Sequence, residues 1–215
     1  MSVETKICGI KTRDALDAAT SGGARFVGFV FYARSPRYVT PADAGALARA
    51  VPAGVRKVGL LVDMDDAFIA DVLAHAPLDM LQLHGQETPA RAAAVKARFG
   101  LPVMKAIKLA TPADVAAAMP FDGHVDWLLF DAKTPPAMAN ALPGGNAVSF
   151  DWTILKGASF PVPWMLSGGL TPENVAEAVS TTGARAVDVS SGVEDAPGQK
   201  SPAKIRAFLD AVRTL

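Results

Sequence analysis

Two side chains suited to proton transfer stand at the ends of apolar segments. Cys8 closes the segment at residues 5–8 and is followed at once by Gly9, so its thiol lies where a predicted strand opens into a loop. A lone cysteine is most often an inert core residue, although its thiolate is a reactive base. Asp131 closes a second apolar segment at residues 127–131. Loss of solvation favours the protonated form of a carboxyl group, and this would suit Asp131 to donate a proton.

Other polar side chains also follow predicted strands. Arg37 follows the second one, and its planar guanidinium can bind a carboxylate through two hydrogen bonds; Arg34 competes for the same role. The alternative for Asp131 is a structural one, as a helix cap or as the partner of Lys133. Four further residues give weaker signals. Gln82 and His84 fit packing or supporting roles, and Asp63 and Lys108 fit solvated loop charges.

Short apolar segments alternate with alanine-rich helical segments along the chain. Several of the apolar segments, such as residues 26–31, are apolar at almost every position, which is typical of strands covered on both faces in a parallel sheet. Strands are predicted at residues 5–8, 26–31, 57–62, 80–83, 103–107, 127–131, 163–166 and 186–189. Helices are predicted at residues 14–20, 41–50, 65–76, 89–99, 112–119, 172–182 and 202–215.

The alternation of strands and helices predicts the fold class. A hydroxyl residue followed by proline favours a helix start, and five helices have this signature, at Pro41, Pro89, Pro112, Pro172 and Pro202. Eight strand–helix units predict an α/β fold, a single (β/α)₈ barrel domain over residues 1–215. A doubly wound sheet is the alternative, but the Gly-x-Gly-x-x-Gly motif of its commonest form does not follow the first strand. Residues 132–147, rich in glycine and proline, predict a long mobile loop at the site, with a short helix at residues 152–156.

Two glycine- and serine-rich segments follow the last two predicted strands. They are Ser167-Gly168-Gly169 and Ser190-Ser191-Gly192. Glycine lets backbone N–H groups approach an anion closely, and serine hydroxyls add donors. Because barrels of this kind often bind phosphate with the loops after strands seven and eight, a phosphate site is expected there.

Composition restricts the partners of the chain. Lysine plus arginine equals aspartate plus glutamate, 21 each, so there is no basic field to attract nucleic acid or anionic lipid. The charged amino terminus is unlike a signal peptide, and no apolar run approaches the roughly 18 residues of a membrane span. One cysteine fits a reducing compartment, here the cytoplasm. The three histidines lack metal-ligand spacing, so no metal or cofactor is expected; a monomer or a homodimer fits the composition.

Six motifs spread over the chain together resemble one enzyme family. They are Lys6-Ile7-Cys8-Gly9-Ile10, Gly28-Phe29-Val30-Phe31, Ser35-Pro36-Arg37-Tyr38-Val39, Gln82-Leu83-His84-Gly85, Leu166-Ser167-Gly168-Gly169-Leu170 with Asn174-Val175, and Asp188-Val189-Ser190-Ser191-Gly192-Val193-Glu194. With these motifs the chain resembles the phosphoribosylanthranilate isomerases of tryptophan biosynthesis, from its first strand to its last helix. Residues 132–149 contribute least to the likeness.

The resemblance implies a reaction and a set of roles. The reaction is the Amadori rearrangement of N-(5-phosphoribosyl)anthranilate, a phosphosugar, to 1-(2-carboxyphenylamino)-1-deoxyribulose 5-phosphate, without a cofactor. Cys8 would be the base and Asp131 the acid. Arg37 would bind the anthranilate carboxylate, and Asp188 the ribulose hydroxyls. The phosphate would be held by Gly168, Gly169, Ser191 and Gly192.

Three rival functions fit the same fold. An indole-glycerol-phosphate synthase would require a lysine acid with glutamate partners. A ribulose-phosphate epimerase would require paired aspartates and metal-binding histidines. A non-catalytic phosphosugar-binding barrel would not need Cys8 and Asp131, and a fold alone does not establish a function.

Overall fold

Eight parallel strands close into a barrel in the computed structural model, which describes residues 2–134, 142–146 and 148–215. The strands are β1 Glu4–Cys8, β2 Phe26–Val30, β3 Arg56–Leu61, β4 Met80–Leu83, β5 Val103–Leu109, β6 Trp127–Ala132, β7 Trp164–Leu166 and β8 Ala186–Val189. Each strand pairs with its neighbour in sequence, and β8 pairs with β1. The predicted (β/α)₈ barrel is confirmed, with all eight strands close to their predicted positions.

Helices surround this barrel. The α-helices are α1 Arg13–Ser21, α2 Pro41–Arg49, α3 Asp66–His75, α4 Pro89–Phe99, α5 Val175–Thr182 and α6 Pro202–Arg213. Short 3₁₀ helices occupy Pro112–Phe121, Trp152–Leu155 and Ser191–Val193. An antiparallel pair that the sequence did not predict, β9 Glu194–Ala196 and β10 Gln199–Lys200, follows β8. Within the described residues, no helix is long and apolar enough to cross a membrane.

The predicted helix starts at Pro41, Pro89, Pro112 and Pro202 are correct, and at Pro41 and Pro89 the preceding hydroxyl caps the helix. Thr40 accepts the Asp43 N–H at 3.1 Å, and Thr88 accepts the Arg91 N–H at 3.2 Å. The segment that begins at Pro112 is a 3₁₀ helix rather than the predicted α-helix. It contains a proline, which lacks the N–H that an α-helix interior needs.

The predicted start at Pro172 is wrong. Pro172 lies in a turn, and α5 begins at Val175. The reason is the Asn174 side chain, which accepts the Thr171 N–H at 2.8 Å and donates to the Gly169 carbonyl at 2.9 Å. Such local side-chain bonds compete with helical backbone bonds.

The barrel interior separates into an apolar floor and a polar layer above it. Side chains alternate between the two faces of each strand, so every second residue points inward. The floor is a cluster of buried residues, Phe26, Val58, Met80, Met104, Ala106, Leu129, Met165 and Ala186. Several side chains that line the cavity at or near the carboxyl ends of the strands are polar or ionisable, among them Cys8, His84, Asp131 and Asp188. The close-packed floor thereby supports a polar site at one end of the barrel.

Candidate active site

Cys8 and Asp131 line one cavity at the carboxyl end of the barrel. The cavity has about 750 Å³ of empty space, a figure that includes the open mouth. Cys8 is the last residue of β1, Asp131 lies one residue before the end of β6, and the two residues are 3% and 5% exposed. Strands β7 and β8 separate them. The two predicted proton-transfer groups therefore reach one space from different strands.

The thiol of Cys8 lies beside a buried ion pair. Lys6 Nζ donates to Asp188 Oδ1 at 2.8 Å, and Ser167 Oγ donates to Asp188 Oδ2 at 3.1 Å. Gly28 makes the space for this arrangement, because a Cβ there would lie 3.0 Å from Cys8 Sγ and 3.3 Å from Lys6 Cε. Burial raises the pKa of the Cys8 thiol above its ordinary value, and the Lys6 ammonium opposes that rise.

Asp131 is an ionised carboxylate, contrary to the expectation of a protonated one. Its Oδ2 accepts a hydrogen bond from Lys108 Nζ at 2.6 Å and lies 3.1 Å from His84 Nε2. Burial alone would raise the pKa of Asp131, but Lys108 and His84 hold it well below its usual range. The alternative partner Lys133 pairs with Asp114 instead, at 3.2 Å.

His84 and Lys108 contact Asp131 directly, although the sequence indicated only a packing or supporting role for His84 and a solvated loop charge for Lys108. Lys108 Nζ also lies 2.8 Å from His84 Nε2, and Gln82 Nε2 lies 2.8 Å from His84 Nδ1. Burial and the Lys108 charge lower the pKa of His84, so its ring is neutral near neutral pH. Their positions in the sequence were the available signal, since His84 directly follows β4 and Lys108 lies one residue before the end of β5, the neighbour of β6. Among the described residues, no group of three His, Cys, Asp or Glu side chains is arranged to hold a metal ion.

Arg37 lines the same cavity and already has an internal partner. Its Nε and Nη2 donate to the two carboxylate oxygens of Glu194, each at 2.8 Å, and Nη2 also donates to the Gly145 carbonyl at 3.0 Å. Lys200 contacts the same carboxylate. Burial alone would raise the pKa of Glu194, but Arg37 and Lys200 keep it below its ordinary value. Two cations and one anion leave this cluster, which we call the Arg37 cluster, with one net positive charge.

Arg34, the competitor of Arg37, lies outside this cavity. It is exposed and lines a neighbouring depression with Lys108 and Gly85. Of the two arginines, only Arg37 faces the space that contains Cys8 and Asp131.

The predicted phosphate loops border the cavity. Gly168, Gly169 and Ser191 line it, whereas Gly192 lines a depression next to it together with Gly169 and Ser191. Gly168 and Gly169 have φ of 90° and 67°, a region that favours glycine. A Cβ at Gly168 would lie only 2.7 Å from the Ala132 nitrogen. The backbone therefore borders the cavity without side chains at these two positions.

Part of the predicted loop lies over the cavity. Residues 142–146 and 148 contribute to its lining. A Cβ at Gly144 would lie 2.6 Å from His84 Nε2 and 3.1 Å from Asp131 Oδ2. Residues 135–141 and 147 of this loop lie outside the described residues, and the mobility of the loop stays a prediction.

Comparison with known proteins agrees with this geometry. A sequence model of the N-(5'phosphoribosyl)anthranilate (PRA) isomerase family matches residues 5–211. The N-(5'-phosphoribosyl)anthranilate isomerase of Rhodospirillum centenum is 59% identical over 215 residues, 100% of each chain.

Two solved structures have the same fold. The phosphoribosyl anthranilate isomerase of Thermotoga maritima is similar with a TM-score of 0.88 at 34% identity, covering 99% of this chain and 100% of the other. A phosphoribosyl anthranilate isomerase in complex with reduced 1-(o-carboxyphenylamino)-1-deoxyribulose 5-phosphate has a TM-score of 0.83 at 32% identity, with coverage of 99% and 100%. Because sequence and fold agree over nearly the whole length, the chain belongs to the N-(5'-phosphoribosyl)anthranilate isomerase family.

Proposed function

We propose that Cys8 and Asp131 act as base and acid in the Amadori rearrangement of N-(5-phosphoribosyl)anthranilate. As a family member the chain is an aldose–ketose isomerase of tryptophan biosynthesis, and it acts on a small phosphosugar. The observation that carries the assignment of the two residues is their shared cavity, which both reach from separate strands of the barrel.

The reaction begins with opening of the furanose ring. Asp131 gives a proton to the ring oxygen, the bond between C1 and that oxygen breaks, and the nitrogen lone pair forms an iminium with C1. The iminium makes the hydrogen on C2 acidic. The Cys8 thiolate takes that proton, and the electron pair of the C–H bond forms an enolamine. Tautomerisation then gives the ketone at C2, so the sugar is its own oxidant and reductant.

Asp131 must carry a proton at the moment of ring opening. In the substrate-free cavity the Lys108 ammonium keeps it ionised. We therefore infer that Lys108 leaves Oδ2 when the ring oxygen of the substrate takes its place. The Lys108 side chain is 25% exposed at the mouth, which leaves it room to move outward. Once that contact is lost, burial favours the protonated carboxyl group.

Anchors at the two ends of the substrate would hold the sugar between Cys8 and Asp131. We assign the phosphate to Gly168, Gly169, Ser191 and Gly192. The carboxylate goes to the Arg37 cluster, whose net positive charge supports that role. Asp188 would accept hydrogen bonds from the sugar hydroxyls, since Lys6 and Ser167 hold its carboxylate toward the cavity. Positioning of this kind supplies roughly 7–11 kcal/mol of the barrier at best.

Arg37→Ala is expected to raise KM more than it lowers kcat. Hydrogen bonds to charged groups contribute about 1.5–3 kcal/mol, which corresponds to a rise in KM of roughly 10–100-fold. The measurement is steady-state kinetics on the purified variant. Arg34→Ala is the matched control, because that exposed arginine does not line the cavity. An unchanged KM for Arg37→Ala beside a raised KM for Arg34→Ala would move the carboxylate contact to Arg34.

The function is tested by a spectroscopic assay on freshly prepared phosphoribosylanthranilate. The purified chain is expected to convert it, and to leave ribulose 5-phosphate unchanged. Its product, 1-(2-carboxyphenylamino)-1-deoxyribulose 5-phosphate, is expected to accumulate, whereas an indole-glycerol-phosphate synthase would consume it. Binding of the aminoaldose without turnover would instead support a non-catalytic barrel and contradict the proposal.

We also propose that the protein is a cytoplasmic monomer. The exposed large hydrophobic side chains among the described residues are Met119 and Leu215, which are too few for the apolar centre of a stable dimer interface. The single cysteine fits a reducing compartment. Sedimentation equilibrium at micromolar concentration should give the mass of one chain, and a mass of two chains would contradict the monomer. Recovery of the native protein outside the cytoplasmic fraction would contradict the compartment.

A further inference from the structure

Lys6 is a fully buried cation whose one role in the reaction above is to hold the Asp188 carboxylate. It lies on β1, two residues before Cys8, so both side chains point into the barrel. Its exposed fraction is 0%, and its Nζ donates to Asp188 Oδ1 at 2.8 Å. An isolated buried ammonium is unfavourable, so a lysine at this depth needs charged or polar partners.

Charged groups from three strands surround the thiol. Lys6 comes from β1, Asp188 from β8 and Lys200 from β10, and each acts on the Cys8 thiol. Lys6 lies beside it, because Cys8 Sγ and Lys6 Cε are 3.0 Å and 3.3 Å from the position that a Cβ at Gly28 would take. The Lys6 ammonium favours the thiolate and so opposes the rise in the pKa of Cys8.

Lys200 is less available to the thiol than Lys6. Its Nζ is engaged by the Glu194 carboxylate and by the Ser190 carbonyl, the latter at 3.0 Å. Burial lowers the pKa of Lys200. Lys6 behaves in the opposite way: burial alone would lower its pKa, but Asp188 and Cys8 together raise it above the ordinary value. Lys6 therefore stays charged at every pH at which the enzyme works.

We propose that Lys6 is a positioning residue for the base, whose buried ammonium stabilises the thiolate form of the Cys8 sulfur against the burial that favours the neutral thiol. The proposal rests on the role of Cys8 given above. In the proton transfer the C2–H bond breaks, its electron pair moves toward C1, and the proton joins Sγ. Lys6 keeps its own proton throughout and acts on the reaction through Cys8. Asp188 opposes Lys6, because a carboxylate beside the thiol favours the neutral form.

The test uses the fact that Cys8 is the only cysteine of the chain. Alkylation by iodoacetamide therefore reports this thiol alone, and the rate against pH gives its titration midpoint. Lys6→Met should raise the midpoint by about 1–3 pH units, the usual effect of a nearby opposite charge. Asp188→Asn should lower the midpoint, because it removes the negative charge that opposes the thiolate and offsets the charge of Lys6.

Lys105→Met is the matched control. Lys105 is also buried, and it pairs with Glu87 at 2.7 Å, but it lies on β5, on the other side of the barrel from β1. Its loss removes a buried lysine and a buried ion pair without touching the thiol. The midpoint of this variant should equal that of the unmodified chain, which separates a charge effect at Cys8 from general loosening of the barrel.

Two outcomes would overturn the proposal. The first is a folded Lys6→Met protein, judged by far-ultraviolet circular dichroism, with an unshifted midpoint. If Lys6→Met does not fold, the Asp188→Asn variant is measured instead. An unchanged or raised midpoint in that variant would be the second outcome that overturns the proposal. The base assignment is tested separately by turnover. If Cys8→Ser kept full turnover while the midpoints shifted as expected, the link between Lys6 and Cys8 would stand and the catalytic role of Cys8 would fail.

Discussion

Cys8→Ser is expected to lower kcat by about 10²–10⁴-fold, the usual contribution of one proton-transfer group. Serine fits the space beside Gly28 and Lys6 and keeps a polar group there. Its hydroxyl stays protonated at working pH, however, and so cannot take the C2 proton as a thiolate does. KM should change much less, because the proposed anchors for the phosphate and the carboxylate are elsewhere in the cavity. Steady-state kinetics on purified protein gives both values.

Binding supplies the control for the Cys8 variant. The product analogue used is reduced 1-(o-carboxyphenylamino)-1-deoxyribulose 5-phosphate. It should bind Cys8→Ser nearly as tightly as it binds the unmodified chain. Normal binding with lost turnover separates chemistry from folding. Turnover of Cys8→Ser equal to that of the unmodified enzyme would contradict the assignment of the base.

Asp131→Asn is expected to cause a loss of similar size in kcat, again with a smaller change in KM. The amide has nearly the shape of the carboxyl group but cannot act as a proton-donating acid toward the ring oxygen. It also removes the carboxylate partner of Lys108. Purified Asp131→Asn is measured in the same assay, and full turnover would show that the ring oxygen receives its proton from another group.

Lys108→Met tests whether the acid is Asp131 and not Lys108 itself. The Lys108 ammonium lowers the pKa of Asp131, so its removal raises that pKa. Because the pKa of Asp131 lies below that of Cys8 in the free enzyme, kcat/KM rises with pH up to the Asp131 pKa and is level between the two pKa values. The acid limb of kcat/KM should therefore move to higher pH in Lys108→Met. Lys133→Met, which removes an exposed lysine paired with Asp114, should leave that limb in place. Loss of turnover in Lys108→Met at every pH would instead identify Lys108 as the donor.

The sequence predicted most of the barrel because its strands are local features. Apolar segments such as Phe26–Val30 carry their own signal, and the strand–helix alternation specifies parallel neighbours. The start at Pro172 was wrong because the Asn174 side chain bonds within the turn. The helix predicted from Pro112 begins there, but it is a 3₁₀ helix with a proline inside it.

The site was predicted as a set of positions rather than as an electrostatic arrangement. Strand ends located Cys8 and Asp131, because active sites of these barrels lie at the carboxyl ends of the strands. The ionisation of Asp131 was not predictable from its apolar strand, since it depends on Lys108, 23 residues earlier in the chain. The pairing of Arg37 with Glu194 joins residues 157 positions apart. Ion pairs of this kind follow from how the strands and loops meet in space, and local composition does not encode them.

The most direct test of the base and acid assignment is a crystal structure with the reduced product analogue bound. We expect its phosphate at the Gly168–Gly169 and Ser191–Gly192 loops and its carboxylate at Arg37. C2 should lie roughly 3.5 Å from Cys8 Sγ, the separation of a reacting pair, with the Asp131 carboxyl group at the opposite side of the sugar and Lys108 withdrawn from it. An analogue bound with C2 facing away from Cys8, or with Asp131 out of reach of the sugar oxygens, would contradict the account.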